Sequence, residues 1–220
     1  MRIEKQFRLL FLLSTILVAL YYSATSYAQR ESIDETQRET LTIPVGVHIL
    51  DSVGNRDNLS SQRTVESLRN HYARVNRIWR QADIVIEPVA YHRMEVPQDL
   101  LWGIVHRTGR GGIRDFFRGA RRGEVEFPDS GNDARIWAFY VSDMGGPNGM
   151  APSGSRTFFV ADTTTVDDAR VTSHEIGHLL GLYHARYDQS MLLFSGANGV
   201  VLTEAEQDVA RYNAKRFLRR

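Results

Sequence analysis

Residues 174–184 read HEIGHLLGLYH. On a helix, His174 and His178 lie one turn apart and about 40° apart around the axis, so both imidazoles can reach one ion. Glu175 is rotated about 100° from His174, which sets its carboxylate beside that ion and not on it. Gly181 is a residue at which a helix can stop in a left-handed turn. The stop matters because His184, ten residues after His174, would point away if the helix ran straight on. A break at Gly181 turns it back as a third ligand. Three neutral histidines at about 2.0–2.1 Å suit Zn²⁺ and leave a fourth position open, the arrangement of a catalytic site and not of a structural one. Glu175 can then act as general base on a zinc-bound water. A bare His-x-x-x-His pair is often only a pair of solvated or core histidines. The five-residue pattern with its glycine is far more specific.

Outward from this stretch, Asp167 to Leu182 is expected to be helical, with Val171, Ile176, Leu179, Leu180 and Leu182 on buried faces. Thr203-x-x-Glu206 is a capping box that opens a last helix to Phe217. Upstream, LTIPVGVHIL (Leu41–Leu50), DIVIEPVAY (Asp83–Tyr91), ARIWAFYV (Ala134–Val141) and RTFFVA (Arg156–Ala161) read as strands. The third is nearly continuous in apolar character and is expected to be central. Pro44 favours an edge or a strand start for the first. Val65, Leu68, Tyr72, Val75 and Trp79 form the stripe of a helix capped by Ser60 or Ser61. No clear periodicity marks residues 93–133, and no internal repeat is present. The fold class is α+β (α/β-like): a twisted, mostly parallel sheet with an antiparallel edge strand and long helices.

Composition bounds the function. The chain has 220 residues, 42% hydrophobic and 24% charged, with a formal net charge of +1, which argues against wholesale nucleic-acid binding. It has no cysteine, which excludes disulfides, thiolate metal sites and thiol nucleophiles. Arg2, Lys5 and Arg8 precede an apolar run, Leu9–Tyr22, and then small residues at Ser26 and Ala28. Residues 1–28 therefore read as a secretory signal peptide, with an uncleaved anchor as the alternative. Residues 29–40 are a flexible polar lead-in, and 41–220 form the functional domain. Between Arg107 and Arg122 six arginines face one acid, Asp115. This stretch reads as a solvated loop, partly docked through Phe116 and Phe117, although it could grip an anionic substrate. The loop 145–154 lacks the Gly-Lys-Ser/Thr ending of a phosphate cradle. His48, His71, His92 and His106 read as packing or surface residues.

HEIGHLLGLYH followed by Met191 resembles the zinc signature and Met-turn of the metzincin metallopeptidases, and within them the matrixins, which share the short interval from the third histidine to the methionine. The resemblance is strong over residues 171–195 and loose over the rest of 41–220. It implies a secreted zinc endopeptidase acting on extended proteins or peptides, with His174, His178 and His184 as zinc ligands, Glu175 as general base and Met191 as the floor of the site. It also implies one catalytic Zn²⁺, leaves room for structural Ca²⁺ without assigning it, and suggests a monomer with no nucleic-acid partner and no stable membrane insertion once the signal is cleaved. Carried over further, Ser155, Arg156, Thr157, Phe158 and Phe159 would form the edge strand that pairs with substrate. Leu192, Leu193 and Phe194 would wall an apolar pocket, so that cleavage falls before medium or large apolar residues. Departures are Ala185 where matrixins usually have serine, Leu193 in place of a zinc-binding tyrosine, and the lack of a silencing cysteine. The enzyme is then active on export, or an acid such as Asp34 or Glu35 plugs the zinc. Two other readings remain open: a zinc-stabilised binding or adhesion module, and a non-peptidase zinc amide hydrolase.

Overall fold

In a computed structural model, β1 (Leu41–Ser52) is followed by α1 (Val65–Trp79), β2 (Ile84–Val96), α2 (Gln98–His106) and α3 (Arg110–Arg121). The second half runs β3 (Ile136–Val141), β4 (Gly149–Met150), β5 (Thr157–Ala161), α4 (Asp168–Leu179) and α5 (Glu204–Leu218). The structure describes residues 38–54, 58–107, 110–128 and 133–219. The signal-peptide reading of residues 1–28 and most of the lead-in lie outside them. Thr40–Arg220 is a single compact unit. No helix among the described residues is long and apolar enough to cross a membrane.

The sheet has the order β2-β1-β3-β5-β4 and is parallel except for β4, which runs antiparallel to β5 at the edge. Both faces are covered, which is why the strands read as continuous apolar runs. Alternate residues divide between two cores. Ile43, Val45, Val47, Ile49, Ala138, Tyr140, Phe158 and Val160 pack with residues of α1, α4 and α5. Phe139, Val141, Phe159 and Ala161 pack with residues of α2 and α3.

Several expectations are corrected. The α1 cap is Thr64, whose hydroxyl accepts from the Ser67 backbone while Ser67 reciprocates. Ser61 instead bonds Asp162, at 2.8 Å. Pro44 lies in β1, which is interior. Its carbonyl accepts from Arg135 N at 2.8 Å, and pairing with β3 begins only at Val45, so the donor that proline lacks falls where the neighbouring strand has barely started. The second strand continues to Val96, alongside the whole of β1. The stretch without periodicity holds the α2–α3 hairpin, and most of the arginine-rich segment is helix α3. Its stripe, with Ile113 and Phe116 buried and Phe117 and Ala120 half-buried, lies against the sheet. The central position of β3 and the Thr203–Glu206 capping box agree with the sequence reading.

Candidate metal centre

Helix α4 carries the site. Asp167 caps it by accepting from Arg170 N, and the helix ends at Leu179, with Gly181 at φ +84°. That left-handed residue closes the turn, in which Leu182 N bonds Gly177 O at 2.9 Å. The Nε2 atoms of His174 and His178 are 3.1 Å apart, those of His178 and His184 3.1 Å, and those of His184 and His174 3.2 Å. A triangle of that size is what three imidazoles span when each sits about 2.0–2.1 Å from one ion.

The tautomers decide whether the triangle fits a cation. His174 Nδ1 is 2.9 Å from the Leu192 carbonyl and His178 Nδ1 is 2.9 Å from the Leu182 carbonyl. A carbonyl can only accept, so both Nδ1 atoms carry the hydrogen and both Nε2 atoms present lone pairs. Lone pairs gathered this closely repel one another unless a positive charge lies among them. The three histidines are thus a group that can hold a metal ion. Burial, together with the nearby positive charges, lowers the basicity of His174 to about 3 and lowers that of His184, which keeps both neutral.

Glu175 is 6% exposed. Burial pushes its carboxyl up to about 8, against a backbone hydrogen bond from Ala151 and the charge of Arg170. The space it occupies is shaped by Gly149: a Cβ there would stand 2.9 Å from both Cγ and Oε1 of Glu175. Glu175, the histidines, Gly149, Met150 and Ala151 line one cleft of about 670 Å³.

The expected edge strand is displaced by one position. β5 is an interior strand between β3 and β4, and Phe158 and Phe159 are fully buried. Thr157 pairs with Trp137 of β3, and Ser155 and Arg156 line a second cleft of about 680 Å³ beside Tyr183, Arg216 and Phe217. The exposed edge is β4, hidden from sequence reading because only two residues of a glycine-rich loop form it. Asn148 O accepts from Ala161 N and Met150 pairs with Phe159, so strand alternation turns Gly149 and Ala151 outward to the cleft.

The expected apolar wall is likewise absent. Leu192 and Leu193 are fully buried in the core, and Phe194 is half-buried. Leu192 contributes its carbonyl, which orients His174, and not its side chain. Ser195 and Gly196 reach the cleft from this segment, and Ile113, Arg114 and Phe117 of α3 line it too. Met191 is half-buried in a tight turn, with Phe194 N bonded to Met191 O at 3.2 Å. Sequence reading also missed Arg170. It is buried and holds the post-turn segment through bonds to the carbonyls of Leu192 at 2.8 Å, Gly199 at 3.4 Å and Phe194. Arg170 stands between Ala169 and Val171 in DDARVTS, and nothing local marks it as buried.

No family model and no curated protein matches the chain. Among solved structures, it is similar to a chain described as "Structure of a chaperone-substrate complex", at 15% identity and a TM-score of 0.51. The match covers 82% of this chain and 35% of that one, so this chain spans about a third of the solved chain's length. At that identity the likeness concerns the fold alone.

Proposed function

We propose that the chain is a secreted, zinc-dependent endopeptidase of the metzincin kind, matrixin-like in its site. One observation carries this: three histidine Nε2 atoms converge beside a buried glutamate in a cleft whose rim is a free sheet edge. A purely structural site has no use for that carboxylate. His174, His178 and His184 would hold the Zn²⁺, which when bound polarises the scissile carbonyl and acidifies water.

The remaining work falls to the chain's own groups. Gly149 offers its main-chain N–H and C=O, and Ala151 its C=O, to an extended peptide, which binds by adding a strand to the sheet. This pairing recognises backbone, so flexible or unfolded segments are the natural substrates. The Glu175 carboxylate accepts the proton of the attacking water and returns it to the departing amine nitrogen as the C–N bond breaks. The Ala151 N–H holds that carboxylate in place. Leu192 O and Leu182 O keep the histidines in the tautomer that binds metal.

The test is a digest of a denatured proteome by the protein without residues 1–28, with and without a zinc chelator, read by mass spectrometry of new termini. Termini that appear only in the unchelated sample, and return when zinc is restored, are expected. An unchanged proteome with zinc fully bound would overturn the reading. Export is checked separately: the protein recovered from outside the cell should begin near Gln29.

A further inference from the structure

The cleft is not the apolar pocket that its sequence neighbourhood suggested. Two of its lining residues are arginines, Arg170 of α4 and Arg114 of α3, and its only acid is Glu175. Arg170 is 4% exposed, and the groups bonded to its guanidinium are neutral: Nε and Nη2 go to the carbonyls of Gly199, Leu192 and Phe194. None of the described residues places a carboxylate within ion-pair distance of it or bonds its Nη1. A buried cation with no direct ion pair, coupled to a carboxylate only through space at Glu175, is costly, and carbonyl dipoles offset only part of that cost. Among the described residues, Asp115 pairs with Arg107 and Arg118 and Glu124 pairs with Arg122, whereas Arg114 and Arg121 have no acid partner; of these two, Arg114 faces the cleft. Ile113, Phe117 and Val171 add apolar wall beside the two cations.

We infer that this cleft selects a substrate carboxylate carried on a short apolar stem, held between Arg170 and Arg114 on the side of the scissile bond toward the peptide's C-terminus. The inference rests on the peptidase reading of the same site. Arg170 is fixed by its carbonyl bonds and supplies a rigid donor. Arg114, on the exposed helix face, supplies a mobile one, and charge-assisted hydrogen bonds to a carboxylate are about twice as strong as neutral ones. Two substrate groups have this chemistry: a glutamate or aspartate side chain, and the α-carboxylate of a chain end placed a residue or two beyond the cut.

The experiment compares four peptides that share one unprimed half. Two are amidated and carry Glu or Gln after the scissile bond, which are nearly isosteric. Two carry Gly there and end shortly after as the free acid or the amide. Affinity is read by fluorescence polarisation on zinc-loaded Glu175→Gln protein, which needs no turnover, and kcat/KM is read on the unmodified protein. A preference of at least about tenfold for the Glu peptide over the Gln peptide, or for the free acid over the amide, supports the inference, and the pair that shows it identifies the source. That preference should shrink several-fold in Arg114→Gln and in raised salt. Arg170→Met should abolish it, but Arg114→Gln decides the matter if that protein fails to fold. Equal affinities within both pairs, or tighter binding of Gln or amide, overturn it. Binding preference without cleavage of any peptide would defeat the endopeptidase reading and leave the carboxylate site standing. Cleavage without preference would do the reverse.

Discussion

On the proposed reading, removing the general base and removing a metal ligand should have separable consequences. Glu175→Gln keeps the shape of the site and all three histidines, so zinc content should be unchanged while hydrolysis falls by about 10²–10⁴-fold. Substantial turnover in the zinc-loaded variant would be incompatible with the assigned role. His184→Ala removes one corner of the triangle and should lower zinc content sharply by atomic absorption, with little change in helical circular dichroism, because His184 lies outside α4. Titration adds a third measurement, on protein stripped by chelator. Glu175 rises to about 8 on folding from an ordinary value near 4.5. Between those limits the folded state binds the extra proton, so stability falls as pH rises, by about 1.4 kcal/mol per pH unit crossed. His174 falls to about 3 from 6.5, so there the unfolded state binds the extra proton and stability falls as pH drops through that window. In urea melts, stripped Glu175→Gln should therefore outlast stripped wild type, with a gap that widens from pH 4.5 to 8. A pH-independent gap would contradict the burial of this carboxyl.

Two glycines make the elements meet as the site requires. Gly181 ends α4 at φ +84°, and a Cβ there would stand 2.6 Å from Asn213 Nδ2, which itself donates to Leu180 O at 2.9 Å. Gly181→Ala should cost about 1–2 kcal/mol in chemical denaturation through the left-handed backbone alone. It should also weaken zinc binding, because the turn both returns His184 and supplies the Leu182 carbonyl to His178. Gly149 lets the edge strand pass close over α4. A Cβ there would lie 2.8 Å from Val171 Cγ1 and 2.9 Å from Glu175 Oε1, so Gly149→Ala should shift the carboxyl. A displacement on the ångström scale lowers kcat by about 10–100-fold. Zinc content should stay normal, which distinguishes this variant from Gly181→Ala.

Across the molecule, the halves of the chain are tied together at Asp168, in the first turn of α4. Arg63 and Arg74 pair with it, and so does His71 Nδ1 at 3.2 Å. Burial alone would raise its carboxyl, but the bonds from His71 and Arg63 prevail and hold it well below the usual carboxylate range. His71 Nε2 bonds Thr172 Oγ1 at 2.8 Å, and Thr172 in turn lies 3.4 Å from the Tyr140 hydroxyl of β3. This network joins α1, α4 and the central strand behind the three histidines. Asp168→Asn removes the carboxylate that Arg63 and Arg74 share, leaving Arg63 with Asp162 and Arg74 with Asp167, and should cost about 2 kcal/mol in urea unfolding at pH 7. For a carboxylate depressed on folding, stability is present above the unfolded value, near 3.8, and is lost as pH falls below it. The difference between wild type and Asp168→Asn should therefore narrow under acid.

Much of this protein was legible locally. The His174, Glu175, His178, Gly181 and His184 spacing encodes the histidine triangle, since helix geometry alone sets two corners and one glycine returns the third. The strands stood out because a sheet buried on both faces demands unbroken apolar runs, and the cap at Thr203 because a helix N-terminus needs its donors satisfied. Other parts depended on distant neighbours. The stripe Ile113, Phe116, Phe117 and Ala120 has helical spacing, but Gly111, Gly112 and Gly119 lower the local propensity, and α3 gains its stability by packing on the sheet. The two residues of β4 are a strand only because β5 lies beside them. Leu192 and Leu193 look like pocket walls until the turn that carries them is folded inward, and Arg170 looks like any helix arginine until three carbonyls close around it. Periodicity records which face of an element is buried. It does not record which element ends at an edge, or which side chains from separate elements converge on one cavity, because those are set by contacts between residues far apart in the chain.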